Sequence, residues 1–366
     1  MLSAARAFAV TSRQPALAGN PDRNGRLLAG WLFVLAGMIF VMVGLGGATR
    51  LTGSGLSIMR WAPLSGVLPP LSHAAWERLY ALYRGTPQYE LVNRGFGLAG
   101  FQSIFWLEWV HRLWGRLIGL TVIGPLAIFW WQGRVTPWLA ARLLLFFVLG
   151  GVQGLIGWLM VATGFRPDST SVAAPWLVLH LIFALALYAA ILWTGLALLA
   201  PRPEPLPGAR ALFRLTLLTL CLVTLTIAAG GLVAGTHAGF VYNTFPLMEG
   251  HIVPANYARL HPVLTNLVRN PAAVQFDHRL LATLALLTAL LTVFLALGVR
   301  RPVALPRAAR AAFAALGLVV LLQYGLGVAT LLAVVPVWLG VAHQLTATLL
   351  LTASLLALYA VRGARS

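Results

Sequence analysis

Apolar residues along this chain are gathered in long runs, and most polar residues lie between the runs. A helix needs about 20 consecutive, mainly apolar residues to cross a bilayer. Runs of that length occur near 27–48, 106–131, 141–163, 174–199, 211–235, 276–299, 310–333 and 337–360. The pattern therefore predicts an all-α integral membrane protein with eight transmembrane helices.

The composition supports this prediction and excludes one class of partner. Hydrophobic residues make up 60% of the chain and charged residues 9%, whereas about 25% of residues are charged in soluble domains. The mean hydropathy is +0.85. A formal net charge of +18 is typical of nucleic-acid binding, but the arginines lie between the apolar runs and form no basic face interleaved with aromatic residues. The partner is the lipid bilayer, with no nucleic acid.

The placement of arginine predicts the orientation of the helices. Short loops rich in arginine remain on the cytoplasmic side. Arginines precede the first predicted helix, follow the second, fourth and sixth, and end the chain. Both termini are therefore predicted to be cytoplasmic, with residues 1–26 as an N-terminal tail; a transit peptide is the alternative for that segment. The long segments 49–105 and 236–275 would lie outside, and their length indicates a functional or lid-like role.

The two halves of the chain repeat each other. Four glycines of the first half match four of the second at a constant shift of 184 residues: Gly46, Gly47, Gly55 and Gly66 with Gly230, Gly231, Gly239 and Gly250. Further along, EWVHRLWGRL (108–117) matches QFDHRLLATL (275–284), and VQGLIG (152–157) matches LQYGLG (322–327). We expect two pseudo-symmetric four-helix bundles in tandem, residues 27–200 and 201–366, related by an axis along the membrane normal.

Four histidines recur in register across this repeat. They are His111, His180, His278 and His343, each within roughly five to seven residues of the outer start of a predicted helix. At 1.5 Å per residue, they would share one depth in the membrane. Facing helices of a bundle can hold a cofactor, and two imidazoles suit the axial positions of a haem iron. The alternative is that each histidine is hydrogen-bonded to a backbone carbonyl.

Charged neighbours of these histidines add a candidate site. The arginines that follow two of them, Arg112 and Arg279, could pair with haem propionates or else reach to the headgroups. Three residues before His111 stands Glu108, where the repeat has Gln275. Glu108 shares a helix face with His111 and is a candidate proton acceptor or charge stabiliser. The alternative is a surface ion pair with Arg112, which contributes little.

Other candidate residues carry weaker signals. The spacing of His237, His251 and His261 matches no familiar zinc or copper pattern, and their role is left open. We expect His73 to be solvated. The single cysteine, Cys221, excludes an intrachain disulfide, and we expect it to be a small core residue of the fifth helix.

The longer motifs resemble those of the haem A synthase family. They are GGATRLTGSGLS (46–57), PQYELVNRG (87–95), FQSIFWLEWVHRLWGR (101–116) and FDHR (276–279). The resemblance implies an eight-helix oxidoreductase of the bacterial inner membrane that oxidises a methyl group of haem O to a formyl group by successive hydroxylations, with water as the oxygen source. It implies a resident haem b on His278 and His343.

The same resemblance assigns the first half to the substrate. It implies that haem O binds between His111 and His180 and that Glu108 takes part in catalysis. The outer loops lack the cysteine pair of some members, which is typical of the alphaproteobacterial and mitochondrial subgroup. Haem O synthase and cytochrome oxidase assembly factors are implied partners, and a homo-oligomer and the electron acceptor are left open. A di-haem electron-transfer protein like cytochrome b is the alternative function.

Overall fold

Nearly all residues of the predicted apolar runs are helical. The computed structural model describes residues 23–63, 65–167, 169–200, 205–298 and 304–365. Within these residues, eight helices are long and apolar enough to cross a membrane, and the prediction of an all-α chain with eight spans is confirmed. They are α1 Arg23–Leu51, α4 Leu98–Trp131, α5 Pro137–Thr163, α6 Ala174–Leu199, α7 Arg210–Gly235, α9 Pro271–Leu297, α10 Arg307–Leu332 and α11 Val337–Ala360.

Three shorter helices lie in the two long loops: α2 His73–Arg84, α3 Pro87–Leu91 and α8 Asn266–Arg269. Side-chain caps fix where several helices begin. Thr136 caps α5 by accepting from the N–H of Leu139, and Asn270 caps α9 by accepting from the N–H of Ala272. A proline directly follows each cap, where its missing N–H costs nothing.

Two helix starts differ from the sequence prediction. Helix α1 begins at Arg23, inside the predicted tail 1–26, and residues 1–22 of that tail lie outside the described part of the chain. Helix α4 begins at Leu98 rather than near 106. His111 therefore lies well inside its helix, and the expected short distance from the helix start is wrong for this histidine. The other three histidines do lie near the starts of α6, α9 and α11.

The additional turns of α4 support the first long loop. Phe101 and Phe105 pack with Tyr83 of α2 in a buried aromatic cluster. The Tyr83 hydroxyl donates to the side-chain oxygen of Gln88, whose amide donates to the carbonyl oxygen of Gly53. These contacts fold segment 52–97 onto one end of the bundle. We call this end, which also carries segment 236–270, the loop end.

The spans pack in two groups of four. Helices α1, α4, α5 and α6 contact one another in a ring, as do α7, α9, α10 and α11. This arrangement fits the tandem bundles expected from the repeat. The groups meet where α1 and α6 pack against α7 and α11, and one apolar core runs through both.

Polar contacts also cross between the two groups. Gln344 donates to the carbonyl oxygen of Val43 (3.0 Å), and its side chain fills the space beside Gly47, where a methyl group would overlap it. Arg50 donates to the carbonyl oxygen of Ala234 (2.8 Å). Arg50 and Ala234 are equivalent positions of the repeat, and a contact between such positions fits the expected pseudo-two-fold axis.

Two of the minor predictions have clear outcomes. Cys221 is exposed on α7, so the expectation of a core residue is wrong. A surface position on a membrane span faces lipid, where a small weakly polar side chain is also tolerated. His73 is solvated as expected, with its ring 3.7 Å from the Glu77 carboxylate and 81% of its side chain exposed.

Candidate functional site

Each of the four repeated histidines packs its ring against a glycine of a neighbouring helix. His180 lies on Gly157, His278 on Gly230 and His343 on Gly327. A methyl group at these glycines would lie 2.8, 3.1 and 2.9 Å from the ring; the first and last distances would force a shift, and the second is tighter than most contacts. His111 lies on Gly46 with more room, at 3.6 Å. The glycines therefore allow the imidazoles to be held between helices inside each group of four.

The two histidines of the C-terminal half face each other. The ring centroids of His278 and His343 are 6.5 Å apart, and the ring planes are perpendicular. Two imidazoles on opposite sides of one metal ion have ring centres roughly 6 Å apart, since each metal–nitrogen bond is about 2 Å. Nδ1 of His278 lies 3.1 Å from the carbonyl oxygen of Thr226. A hydrogen bond donated there leaves Nε2 free to bind a metal.

A glutamine accompanies one histidine of each half at equivalent positions. The amide nitrogen of Gln153 lies 3.1 Å from Nδ1 of His180 and donates to its carbonyl oxygen. The amide nitrogen of Gln323 lies 3.5 Å from Nε2 of His343. The side-chain oxygens of both glutamines and Nδ1 of His343 are buried without a hydrogen-bond partner among the described residues. Buried polar atoms without partners are uncommon and fit a site built for a polar or metal-containing group.

The histidines of the N-terminal half are also directed inward. His111 reaches from α4 toward α1, and His180 from α6 toward α5. They are near enough to interact electrostatically. The structure thus brings together the residues of each predicted pair.

Glu108 is buried and fully engaged with the first long loop. Its side chain is 2% exposed. One carboxylate oxygen accepts from the N–H groups of Ser57 (2.8 Å) and Ile58 (2.9 Å) and from the Ser57 hydroxyl (2.7 Å). The other oxygen accepts from Arg112, at 2.6 and 3.1 Å. The Glu108–Arg112 pair is therefore not a surface ion pair, because the helix and the loop together enclose it.

Gln275 has different partners at the equivalent position. It is also 2% exposed, but its amide nitrogen donates to the carbonyl oxygen of Tyr242 (3.1 Å). The first half presents backbone donors to a carboxylate, and the second half presents a backbone acceptor to an amide. The backbone of the first loop therefore suits a glutamate at this position, and the backbone of the second loop suits a glutamine.

Arg112 and Arg279 hold the loops in the same way. Arg112 donates to the carbonyl oxygens of Ile58 and Arg60. Arg279 donates to those of Tyr242 and Thr244, the equivalent positions. Their predicted pairing with propionates stays a prediction. Nε of Arg279 is buried without a partner among the described residues, whereas Nε of Arg112 binds Glu108.

The remaining loop histidines form no metal centre. Within the described residues there is no group of three or more His, Cys, Asp or Glu side chains that could hold a metal ion. Nε2 of His237 lies 3.1 Å from Nη2 of Arg50. Burial, and then the positive charge of Arg50, lowers the pKa of His237. His237 thus belongs to the contact between the two halves.

Comparison with known proteins gives this geometry a family. The sequence matches the family model COX15-CtaA, described as cytochrome oxidase assembly protein, over residues 29–355. The chain belongs to the COX15-CtaA family. The match covers all eight spans almost completely, so both groups of four helices are part of the family fold.

Curated relatives of this COX15-CtaA protein carry consistent names. It is 58% identical to "Heme A synthase" of Granulibacter bethesdensis over 94% of this chain and 89% of the relative. It is 46% identical to "Heme A synthase 2" of Acidiphilium cryptum over 96% of both chains. It is 44% identical to "Heme A synthase" of Methylobacterium radiotolerans over 92% of this chain and 90% of the relative.

Sequence reasoning missed several residues of this COX15-CtaA site. Gln153 and Gln323 are identical and equivalent in the aligned strings VQGLIG and LQYGLG, and that identity was a usable signal. Ile58 carried none, because it binds Glu108 through its backbone N–H group and a backbone donor leaves no mark in the residue pattern; Ser57 also donates its hydroxyl to Glu108, but a single serine in a loop is a weak signal.

Proposed function

We propose that this protein is a haem A synthase, which oxidises a methyl group of haem O to a formyl group in two successive steps. The observation that carries the proposal is that each half holds two inward-facing histidines, and that a buried carboxylate, Glu108, stands beside them where the other half has Gln275. The names of the relatives give the product, haem A, and the oxidation of haem O is the reaction that the family resemblance implies. Each oxidation removes two electrons and two protons; water supplies the oxygen and takes up the protons, and the electrons would leave one at a time, by way of a haem b in the other half, to an external one-electron acceptor.

The two halves divide the work in this proposal. His278 and His343 hold a haem b, and the 6.5 Å between their rings supports this assignment. A haem b bound there supplies one-electron transfer. His111 and His180 bind the substrate haem O, and Gln153 orients His180 through its amide.

Glu108 is the residue we assign to the reaction centre. It is buried on the same helix face as His111, three residues away, and the second half has no carboxylate at that position. Its negative charge stabilises positive charge that develops at the methyl carbon, or its oxygen accepts the released proton. Arg112 and the N–H groups of the loop hold the carboxylate in place.

The protein acts as a multi-pass membrane protein. The proposed membrane is the bacterial inner membrane, with both termini cytoplasmic and the loop end outside, because the arginine-rich connections lie at the other end. Proposed partners are a haem O synthase, which supplies the substrate, and the assembly factors of cytochrome oxidase.

Extraction of bound haem tests the function. The protein is purified from a host that also makes haem O synthase, and its haems are identified by chromatography and mass. Haem b together with haem A or a hydroxylated intermediate is the expected result. Haem b alone, at two per chain, would instead indicate a di-haem electron carrier, and a preparation without haem would contradict the ligand assignment.

A further inference from the structure

Helices α5 and α10 differ at two equivalent positions one helical turn apart. Helix α10 carries Val320 and Tyr324, where α5 carries Gly150 and Gly154. Val320 is buried, with 3% of its surface exposed. At Gly150 and Gly154 a methyl group would meet no other atom within 4 Å. The first half thus has free space where the second half has side chains.

Tyr324 closes the corresponding space in the C-terminal half. Its hydroxyl lies 3.1 Å from Oγ1 of Thr283 on α9, so the side chain bridges α10 to α9. Its ring makes an edge contact with Phe245 of the loop, with 6.3 Å between centroids. Helix α9, helix α10 and the loop that contains Phe245 therefore meet at Tyr324. Tyr324 directly follows Gln323, the glutamine that contacts His343.

The equivalent residues of the N-terminal half leave this place open. Trp61, the counterpart of Phe245, stacks on Trp158 at 5.3 Å between ring centroids, one turn closer to the loop end than Gly154. Arg116, the counterpart of Thr283, turns to the loop and donates to the carbonyl oxygens of Ala62 and Pro63. On α4, Gly119 also has no atom within 4 Å of a methyl position, and its counterpart Leu286 packs against the core.

This open place adjoins the histidine pair of its half. Gln153, next to Gly154, contacts His180, and its side-chain oxygen is buried without a partner among the described residues. The free space therefore begins beside a buried acceptor that has no hydrogen-bond partner among the described residues. It continues along α5 from Gly154 to Gly150, away from the loop end and toward the middle of the membrane.

We propose that the groove at Gly150 and Gly154 holds the long isoprenoid tail of haem O, and that Tyr324 excludes a tail-bearing haem from the C-terminal half. The inference rests on the proposed function. A farnesyl chain is wholly apolar, so a groove that opens to lipid favours it. The second half, with the groove filled, accepts only a haem without such a tail, and Tyr324 and Gly154 determine which haem binds in which half.

Paired tyrosine variants test the first part. Gly154→Tyr places a large side chain in the groove, and Leu155→Tyr places the same side chain on the neighbouring position, which is 40% exposed. We expect Gly154→Tyr to bind haem O about tenfold more weakly or worse, since burial of several methylene groups is lost, while haem b content stays at the wild-type level. Leu155→Tyr should bind haem O normally. Retained haem b shows that Gly154→Tyr is folded, and Gly154→Leu offers a smaller obstruction if it is not.

The reciprocal variant tests the second part. Tyr324→Gly should allow haem O into the C-terminal half, so that extraction yields haem O in excess over the single substrate equivalent. Tyr324→Phe keeps the ring and should retain haem b alone there. Normal haem O binding by Gly154→Tyr, or unchanged haem composition in Tyr324→Gly, would overturn the inference. A wild-type protein that forms no haem A under the same conditions would instead refute the proposed function.

Discussion

The substitution Glu108→Gln tests how strongly the first loop depends on a carboxylate. The glutamine side chain can be oriented in two ways. If its oxygen points toward Arg112, its amide nitrogen faces the N–H of Ile58, so two donors oppose each other. Among the described residues the Ile58 N–H has no second acceptor, whereas that of Ser57 keeps a longer one, the carbonyl oxygen of Ser54 at 3.3 Å. The reverse orientation places the amide nitrogen against the Arg112 guanidinium.

The structure sets the size of the expected effect. A buried N–H left without an acceptor costs about 1–3 kcal/mol, and replacing a charge-assisted hydrogen bond by a neutral one costs about 1–2 kcal/mol more. We therefore expect Glu108→Gln to destabilise the protein by about 2–5 kcal/mol. Haem A formation should stop, while haem b in the other half is retained because Gln275 and its loop are unchanged.

A second glutamate provides the control. Glu90 also pairs with an arginine four residues later, at 2.8 Å, but both side chains are at least half exposed. Glu90→Gln should change stability by less than about 1 kcal/mol. The assay is the thermal unfolding midpoint in detergent, followed by tryptophan fluorescence, together with haem A formation. Equal midpoints for the two variants and full activity of Glu108→Gln would refute both the buried network and the assigned role.

Two other predictions follow from local packing and charge. Gly327→Ala should reduce haem b content, because the new methyl group would lie 2.9 Å from the His343 ring and overpacking costs about 1–3 kcal/mol. Gly46→Ala, with 3.6 Å to its histidine, should leave the haem content unchanged, and equal losses in both variants would contradict the packing argument. Since the pKa of His237 is lowered by burial and by Arg50, the unfolded chain binds a proton more readily than the folded one. Stability should therefore fall as the pH drops below about 6.5. In unfolding midpoints measured against pH, His237→Gln should reduce this dependence, and an unchanged slope would exclude His237 as its source.

The sequence predicted the spans well and singled out four histidines within them, for a physical reason. Lipid and a packed interior both require apolar side chains, so each span is a long apolar run, and His111 or His278 stands out within it. The start of α4 was missed because residues 98–105 pack against loop aromatics such as Tyr83 rather than against lipid. That stretch therefore has no clear apolar boundary.

Two features of the site could not be predicted from the sequence: the hydrogen bonds donated by backbone groups, and the space that no side chain fills. Two of the five hydrogen bonds to Glu108 come from backbone N–H groups of a loop whose path no residue pattern specifies. Gly154 was aligned with Tyr324, but a glycine in a span indicates close packing as readily as a groove. Only the structure shows that a histidine ring fills the space beside Gly157, whereas the space beside Gly154 is open.

The most direct test of the account is the haem content of two matched variants, His278→Ala and His111→Ala, purified under the same conditions. We predict that His278→Ala loses the resident haem b, because its ring and that of His343 lie 6.5 Å apart as a single pair. His111→Ala should keep haem b and lose only the substrate haem. Unchanged haem b in His278→Ala, or equal loss of haem b in both variants, would contradict the division of the protein into a cofactor half and a substrate half.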